Sequence, residues 1–304
     1  MKFPRTLLAV ALSSLLVLTL LPTATPAAPG PERAMFVFPA SADRTTPAAA
    51  VPPNVPTTGG WIGPGAHLLI TFDSVPGTIF GCTANYLWKA GTTTYLGAAG
   101  HCYIPPGTTA THGTGADYNP SGTHVRVCVS GCEFGGETGF IIQGTTVALG
   151  AVAYGRQTAS DGDIGNDFGI VAIPSSQMSR TTPTMPVWNG PTSGSPGVGL
   201  GAVCFYGNAA GLGETVATKA RAGVVTVIGT KAWNAVLPVF EGDSGSALER
   251  CTADASGAVH GTAAVGIVTH LTVGQNTAAG TTMARAEQMA TEAGLTITPV
   301  LSAI

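Results

Sequence analysis

From Trp61 onward the chain is divided into short apolar or alternating runs, each closed off by Gly, Pro, Asn or Thr. This punctuation constrains the fold more than any other feature. The runs are His67–Phe72, Thr94–Ala98, His124–Val129, Thr145–Val152, Phe168–Ile173, Val198–Tyr206, Gly223–Ile228 and Ala263–Thr269. They are rich in Val, Ile, Thr and aromatic residues, whose branched or flat side chains suit a pleated surface. Regular short strands with few helical periods predict an all-β sandwich or barrel. One helix is expected at the end, from Thr282 to about Ala293, with Gly294 as its C-terminal stop. No repeat of fixed period is present, which argues against a propeller.

Composition permits a large core. Hydrophobic residues are 44% and charged residues 10% of 304. Gly 42 and Pro 22 together make about a fifth of the chain, below the roughly 25–30% typical of disordered sequences. A net charge of -3 supplies no basic field for a phosphate backbone, so nucleic-acid binding is excluded as a leading function. Lys2 and Arg5 precede an uncharged apolar run, Leu7 to Leu21, and small residues follow at Thr25 and Ala27. That order predicts a secretory signal peptide over 1–27. The run is shorter than the ~20 residues a spanning helix needs, so no membrane association is expected after cleavage. Residues 28–60 are rich in Pro, Ala and Thr and read as a propeptide or linker. The patch Met35-Phe36-Val37-Phe38 is the exception: it either pairs with the following domain as a strand or is only a sticky segment before cleavage.

Six Cys in an exported chain suit an oxidising compartment, and six allow fifteen connectivities. Cys128 and Cys132 in CVSGC are close enough to close a small loop. A zinc half-site is the rival reading, but no second close Cys or His pair completes it. Three disulfides, no metal and no cofactor are expected.

Three segments carry chemistry. In Glu241-Gly242-Asp243-Ser244-Gly245-Ser246, flanking glycines expose a serine hydroxyl and free the backbone to turn N–H groups toward an oxyanion. A polar turn is the plain alternative, since Gly, Asp and Ser dominate turns. Leu96-Gly97-Ala98-Ala99-Gly100-His101-Cys102 places one His at the end of an apolar strand among small residues, or simply a surface His beside a disulfide. Asn166-Asp167-Phe168-Gly169-Ile170-Val171-Ala172-Ile173 leads a lone carboxylate into a buried strand, where it can accept from an imidazole Nδ1–H or merely cap the strand. Asp161 and Asp163 compete for that role, but no apolar strand lies directly behind them.

Together these segments resemble the trypsin/chymotrypsin-like serine proteases, particularly the secreted bacterial members, over about Trp61 to Leu295. The order His, Asp, Ser is that family's order. Ala-Gly-His-Cys resembles many bacterial members, and Ser246 stands where the family usually has a second Gly. The resemblance implies two six-stranded antiparallel barrels with the active site between them and a C-terminal helix. Barrel 1 is expected over about 61–180, barrel 2 over about 181–280, and the helix over about 282–294, within a domain of 61–304. It implies that His101, Asp167 and Ser244 form the catalytic triad and that the N–H groups of Gly242 and Ser244 form the oxyanion hole. It also implies disulfides Cys82–Cys102 and Cys204–Cys251, leaving Cys128–Cys132 as a local loop.

The family's animal members are activated when a new Ile-Val-Gly-Gly amine meets the Asp before the nucleophile. Trp61-Ile62-Gly63 is the nearest segment here, so Asp243 is expected to pair with an internal Arg, as in bacterial relatives. Pro238 stands six residues before Ser244, where cleavage after Lys or Arg would want an Asp. The pocket's far wall is expected near Thr269, His270 and Leu271. Glutamyl endopeptidases use a His in this region, but the match is out of register, and His270 is expected at the pocket rim. The expectation is therefore a secreted, monomeric serine endopeptidase acting on protein or peptide substrates after apolar or medium-sized residues. A silent binding module on the same fold and a serine esterase are the alternatives.

Overall fold

The computed structural model describes residues 32–33, 36–39, 61–113, 119–130, 132, 145–158, 164–194, 199–208, 219–272 and 277–303, the first two segments as backbone only. The expected signal peptide, most of 28–60, and Asp161 and Asp163 lie outside these residues. Two short leader strands come first, β1 (Glu32–Arg33) and β2 (Phe36–Pro39). The first half of the main body contains β3 (His67–Phe72), β4 (Thr78–Thr83), β5 (Leu87–Ala90), β6 (Thr93–Ala98), β7 (Thr123–Ser130), β8 (Thr145–Ala148), β9 (Val152–Gln157) and β10 (Asp167–Ala172). The second contains β11 (Gly201–Tyr206), β12 (Ala220–Ile228), β13 (Ala232–Val236), β14 (Ala247–Ala253), β15 (Val259–Thr272) and β16 (Thr277–Thr282), followed by α1 (Met283–Glu292) and β17 (Thr298–Pro299).

The second half is a closed six-stranded barrel. Its order is β15-β14-β11-β12-β13-β16, and β15 pairs back onto β16. Val203, Phe205, Trp233, Leu237, Leu248 and Val268 fill it, all fully buried. The first half differs in detail from a single six-stranded ring. It forms two sheets, β2-β4-β3-β7-β8 and β17-β5-β6-β10-β9. Backbone bonds stitch their corners: Ala84 N–H to the Ala66 carbonyl (2.8 Å), Leu149 N–H to Val125 (2.9 Å) and Gly150 N–H to Ala172 (2.8 Å). Both sheets share one core, including Leu68, Phe80, Leu96, Val127 and Val171. The expected run Thr145–Val152 is interrupted at Leu149-Gly150-Ala151, and the chain bends likewise between β4 and β5. Taken as two bent strands, β4–β5 and β8–β9 return the first half to six and the molecule to two barrels.

Leader residues extend both barrels at free edges. β14 leaves β15 after Ala247 pairs with Ile267, and β1 takes the vacated edge, with Glu32 opposite Leu271 and Arg33 opposite His270. β2 lies on β4, Phe36 opposite Gly81 and Pro39 opposite Thr78. Of the two readings of the Met35–Phe38 patch, strand pairing is the one observed for Phe36–Phe38.

Helix α1 begins where the sequence places its cap: the Thr282 hydroxyl accepts from Arg285 N–H (3.3 Å), satisfying one of the first-turn donors. It ends before Gly294, whose φ of +81° is the left-handed conformation that glycine adopts at low cost. Met283, Ala286, Met289 and Ala290 pack against Tyr86, Trp88 and Phe168 from the first half and Ile267 from the second. Among the described residues no helix is long and apolar enough to cross a membrane.

The candidate active site between the barrels

His101 sits on a single 3-10 turn, Gly100–Cys102, directly after β6. Two features fix that turn. The Cys82–Cys102 disulfide ties it to β4. Gly100 backs so closely onto β9 that an added Cβ would lie 1.8 Å from the Arg156 carbonyl oxygen, so a side chain there would displace His101. Asp167 opens β10, opposite Gln157. The Thr281 hydroxyl donates to its carbonyl (3.0 Å), linking this strand end to the second barrel.

Ser244 lies on the turn entering β14. Gly242 (φ +96°) and Gly245 (φ +93°) both occupy the left-handed region, which explains why glycine flanks Asp243-Ser244. The turn closes through Asp243 N–H to the Phe240 carbonyl (3.1 Å) and Ser246 N–H to the Asp243 carbonyl (3.0 Å). The N–H groups of Gly242 and Ser244 take no part in those bonds.

The three side chains meet. The Asp167 carboxylate accepts from the His101 backbone N–H (2.9 Å) and, through its other oxygen, from Nδ1 (2.6 Å). An ionised carboxylate only accepts, so Nδ1 carries the proton and Nε2 presents a lone pair. Nε2 lies 2.9 Å from Ser244 Oγ, which then donates to it. His101, Asp167 and Ser244 are 1%, 2% and 0% exposed, so these bonds act in a desolvated setting where electrostatic interactions strengthen. Burial works to raise the Asp167 carboxyl, but the His101 imidazole, its two hydrogen bonds and the charge of His270 outweigh it and hold the group below its ordinary value.

The residue before the serine is neutralised internally. Both Asp243 oxygens engage Arg221, at 2.5 Å from Nη1 and 2.6 Å from Nη2, in a bidentate fork. Phe240 N–H adds a third bond (2.9 Å). Burial pushes the Asp243 carboxyl up, and these partners oppose it. The Arg221 guanidinium also stacks 4.5 Å from the centroid of the Phe205 ring. The expected internal Arg is thus Arg221, on β12.

The residues expected to line a pocket fall into two groups. The Pro238 carbonyl accepts from Arg221 Nη1 (3.1 Å) beneath the serine turn. Thr269, His270 and Leu271 lie on β15 just past Val268, which exchanges backbone bonds with Gly245 and Ser246. His270 is 4% exposed beneath its pairing with Arg33 of β1, and its Nδ1 lies 2.7 Å from Thr269 Oγ1. The pairing of β15 with β16 shifts register between Val268 and His270, so simple strand alternation does not hold there.

Cys82–Cys102, Cys128–Cys132 and Cys204–Cys251 are all bonded, so Cys128 and Cys132 form a disulfide and not a zinc half-site. Sequence reasoning missed Thr83 and Asn208. Thr83 Oγ1 donates to the Gly242 carbonyl (2.8 Å) and its N–H to the Ser244 carbonyl (2.8 Å), while Asn208 N–H donates to Thr83 Oγ1 (2.8 Å). These bonds hold the serine turn against the first barrel. Thr83 is adjacent to Cys82, which is the one local hint the sequence offers.

No protein-family model matches the chain, and no curated protein matches it. Solved structures do resemble it. Thermobifida fusca Protease A is 18% identical over 79% of this chain and 100% of its own, with a TM-score of 0.45. A thermostable serine protease from an extremophilic microorganism is 16% identical over 77% and 96%, with a TM-score of 0.47. A glutamic-acid-specific serine protease, described as using a histidine triad in substrate binding, is 19% identical over 76% and 97%, with a TM-score of 0.42. At these values the likenesses carry no weight about chemistry, which rests on the site itself.

Proposed function

We propose that this chain is a secreted serine endopeptidase that cleaves protein or peptide substrates through an acyl-enzyme intermediate. The observation that carries the reading is the unbroken hydrogen-bond chain from the Asp167 carboxylate through His101 to Ser244 Oγ, at 2.6 Å and 2.9 Å. Ser244 Oγ attacks the scissile carbonyl as Nε2 takes its proton, and the imidazolium is stabilised by Asp167. His101 then passes the proton to the leaving amine. Water, deprotonated by the same imidazole, releases the acyl group. Gly242 and Ser244 N–H groups hold the oxyanion, each donor contributing about 10²–10³ in rate. Pro238 leaves the base of the pocket without the carboxylate that basic side chains need, which favours apolar or medium-sized residues before the cut. Buried His270 is engaged with Thr269, which speaks against a role in holding substrate glutamate. Residues 1–27 act as the export signal and 28–60 as a leader, and the three disulfides suit an oxidising exterior.

The test is a fluorophosphonate probe together with casein hydrolysis by the secreted chain. The expected result is a covalent adduct mapped to Ser244, with both labelling and hydrolysis absent from Ser244→Ala. Hydrolysis that persists in Ser244→Ala would overturn the assignment, and a folded chain that shows neither activity would make it a binding module.

A further inference from the structure

Thr83 ends β4 beside the Cys82–Cys102 disulfide and is fully buried. It meets the serine turn through three of its groups. Its N–H donates to the Ser244 carbonyl and its hydroxyl to the Gly242 carbonyl, both at 2.8 Å. Its own carbonyl oxygen lies so near Gly245 that an added Cβ there would come within 2.2 Å. The two residues whose N–H groups are assigned to the oxyanion therefore have their carbonyls held by one residue of the first barrel. The hydroxyl is itself oriented. Asn208 N–H donates to Oγ1 (2.8 Å), and Asn208 Nδ2 donates to the Gly65 carbonyl (2.8 Å). A hydroxyl has one proton to give, so with Asn208 donating to its oxygen that proton goes to Gly242.

Gly242 needs such a restraint. Its φ of +96° lies in the region glycine adopts at low cost, and without a Cβ its backbone turns readily. The peptide unit from Gly242 to Asp243 is bonded at both ends, its carbonyl to Thr83 and its N–H to the Phe240 carbonyl (3.1 Å). With that unit fixed, the Gly242 N–H keeps its direction; with the carbonyl released, rotation at Gly242 carries the N–H away. We propose that Thr83 is a positioning residue for the oxyanion hole, its hydroxyl keeping the Gly242 N–H aimed at the oxygen of the scissile carbonyl. The proposal rests on the proposed protease function and deepens it by naming the residue that keeps the hole formed. A donor matched to developing charge acts on the transition state, so its misalignment lowers kcat and leaves KM in place. Misplacement of a reacting group by about 1 Å is worth on the order of 10²-fold in rate.

The experiment compares the full secreted chain with Thr83→Val, which keeps the shape and removes the hydroxyl, Thr83→Ala, and Thr83→Ser, which restores the hydroxyl. The substrate is whichever peptide p-nitroanilide the unaltered chain cleaves fastest from a set with Ala, Leu, Phe or Glu before the scissile amide. The inhibitor is the aldehyde of the same peptide, whose hemiacetal oxygen takes the place of the oxyanion. In folded Thr83→Val and Thr83→Ala, kcat should fall at least tenfold with KM within twofold. Aldehyde affinity should fall by the same factor as kcat/KM, and Thr83→Ser should stay within threefold of the unaltered chain in every constant. A role confined to holding the fold would lower Tm without that paired loss. Unchanged kcat in folded Thr83→Val, a loss carried by KM with aldehyde affinity intact, or an equal loss in Thr83→Ser would each overturn the proposal and leave the protease reading standing. Failure of both Thr83→Val and Thr83→Ala to fold would also overturn it, by assigning Thr83 to the fold. A folded, unaltered chain that cleaves neither these peptides nor casein would remove the protease reading as well.

Discussion

In the first barrel the acid–base pair is fixed by local, largely covalent and backbone means: a disulfide at Cys102, a glycine pressed against β9 and a strand end at Asp167. In the second barrel Ser244 stands on a turn with two left-handed glycines, braced from below by a buried Arg–Asp fork and from across the cleft by Thr83. The contrast teaches where each half is vulnerable. The His101 side tolerates loss of single weak bonds because chain connectivity holds it. The Ser244 side depends on one charge pair whose members are nearly or wholly buried, and removal of one charge strands the other.

The largest effect expected from breaking this arrangement is on turnover. Ser244→Ala or His101→Ala should each lower kcat by about 10⁶-fold, and the double variant should be little worse, because the groups act as a unit. A steady-state comparison of the three on one peptide checks this; additive losses would mean that the two residues act separately. Asp167→Asn should cost about 10⁴-fold by favouring the wrong imidazole tautomer, with the fold unchanged by circular dichroism.

Stability separates the halves further. Arg221→Met should destabilise by about 3–5 kcal/mol in denaturant titration, whereas replacing Arg221 and Asp243 together with apolar residues should recover most of that loss. The Cys82→Ala/Cys102→Ala pair, opening a loop with a sequence separation of 20, should cost about 3 kcal/mol. If the disulfide variant proved the more damaging of the two, the asymmetry between the barrels would be reversed.

The smallest effect sharpens the comparison within the second barrel, which buries another carboxylate without a partner. Glu249 is 0% exposed, both its oxygens lack a hydrogen bond, and burial raises its carboxyl well above the ordinary value. Raised in the folded state, this group favours folding fully below the ordinary glutamate value. That contribution is lost as pH rises above it, because only the unfolded chain ionises there. Glu249→Gln should therefore flatten the fall of Tm as pH rises above the ordinary glutamate value and raise Tm modestly at pH 7. An unchanged pH profile would show that Glu249 finds a charge partner.

Much of the fold was legible along the chain because strands, turns and caps are local. The run His67–Phe72 coincides with β3, and Phe168–Ile173 falls within one residue of β10. Thr282 and Gly294 marked both ends of α1 through cap and stop chemistry. Among the strands outside those runs, β13, β14 and β16 carry Ala, Gly, Asn or charged residues that have little strand preference of their own, and barrel closure supplies it. Sequence also fixed which residues were candidates for the site, since Gly-Asp-Ser-Gly and Ala-Gly-His-Cys must be contiguous to shape their turns.

What tertiary structure alone decided are the relations between distant segments. Thr83 braces a turn 159 residues away, Arg221 on β12 reaches Asp243 on the turn before β14, and the β15–β16 register shifts between Val268 and His270. The strand at Phe36–Pro39 was foreshadowed by its apolar patch, but which free sheet edge it and β1 would take was not. Local order is written by side-chain and backbone preferences within a few residues. Pairings across the molecule are settled by which buried polar groups and open strand edges the closed barrels leave to be satisfied.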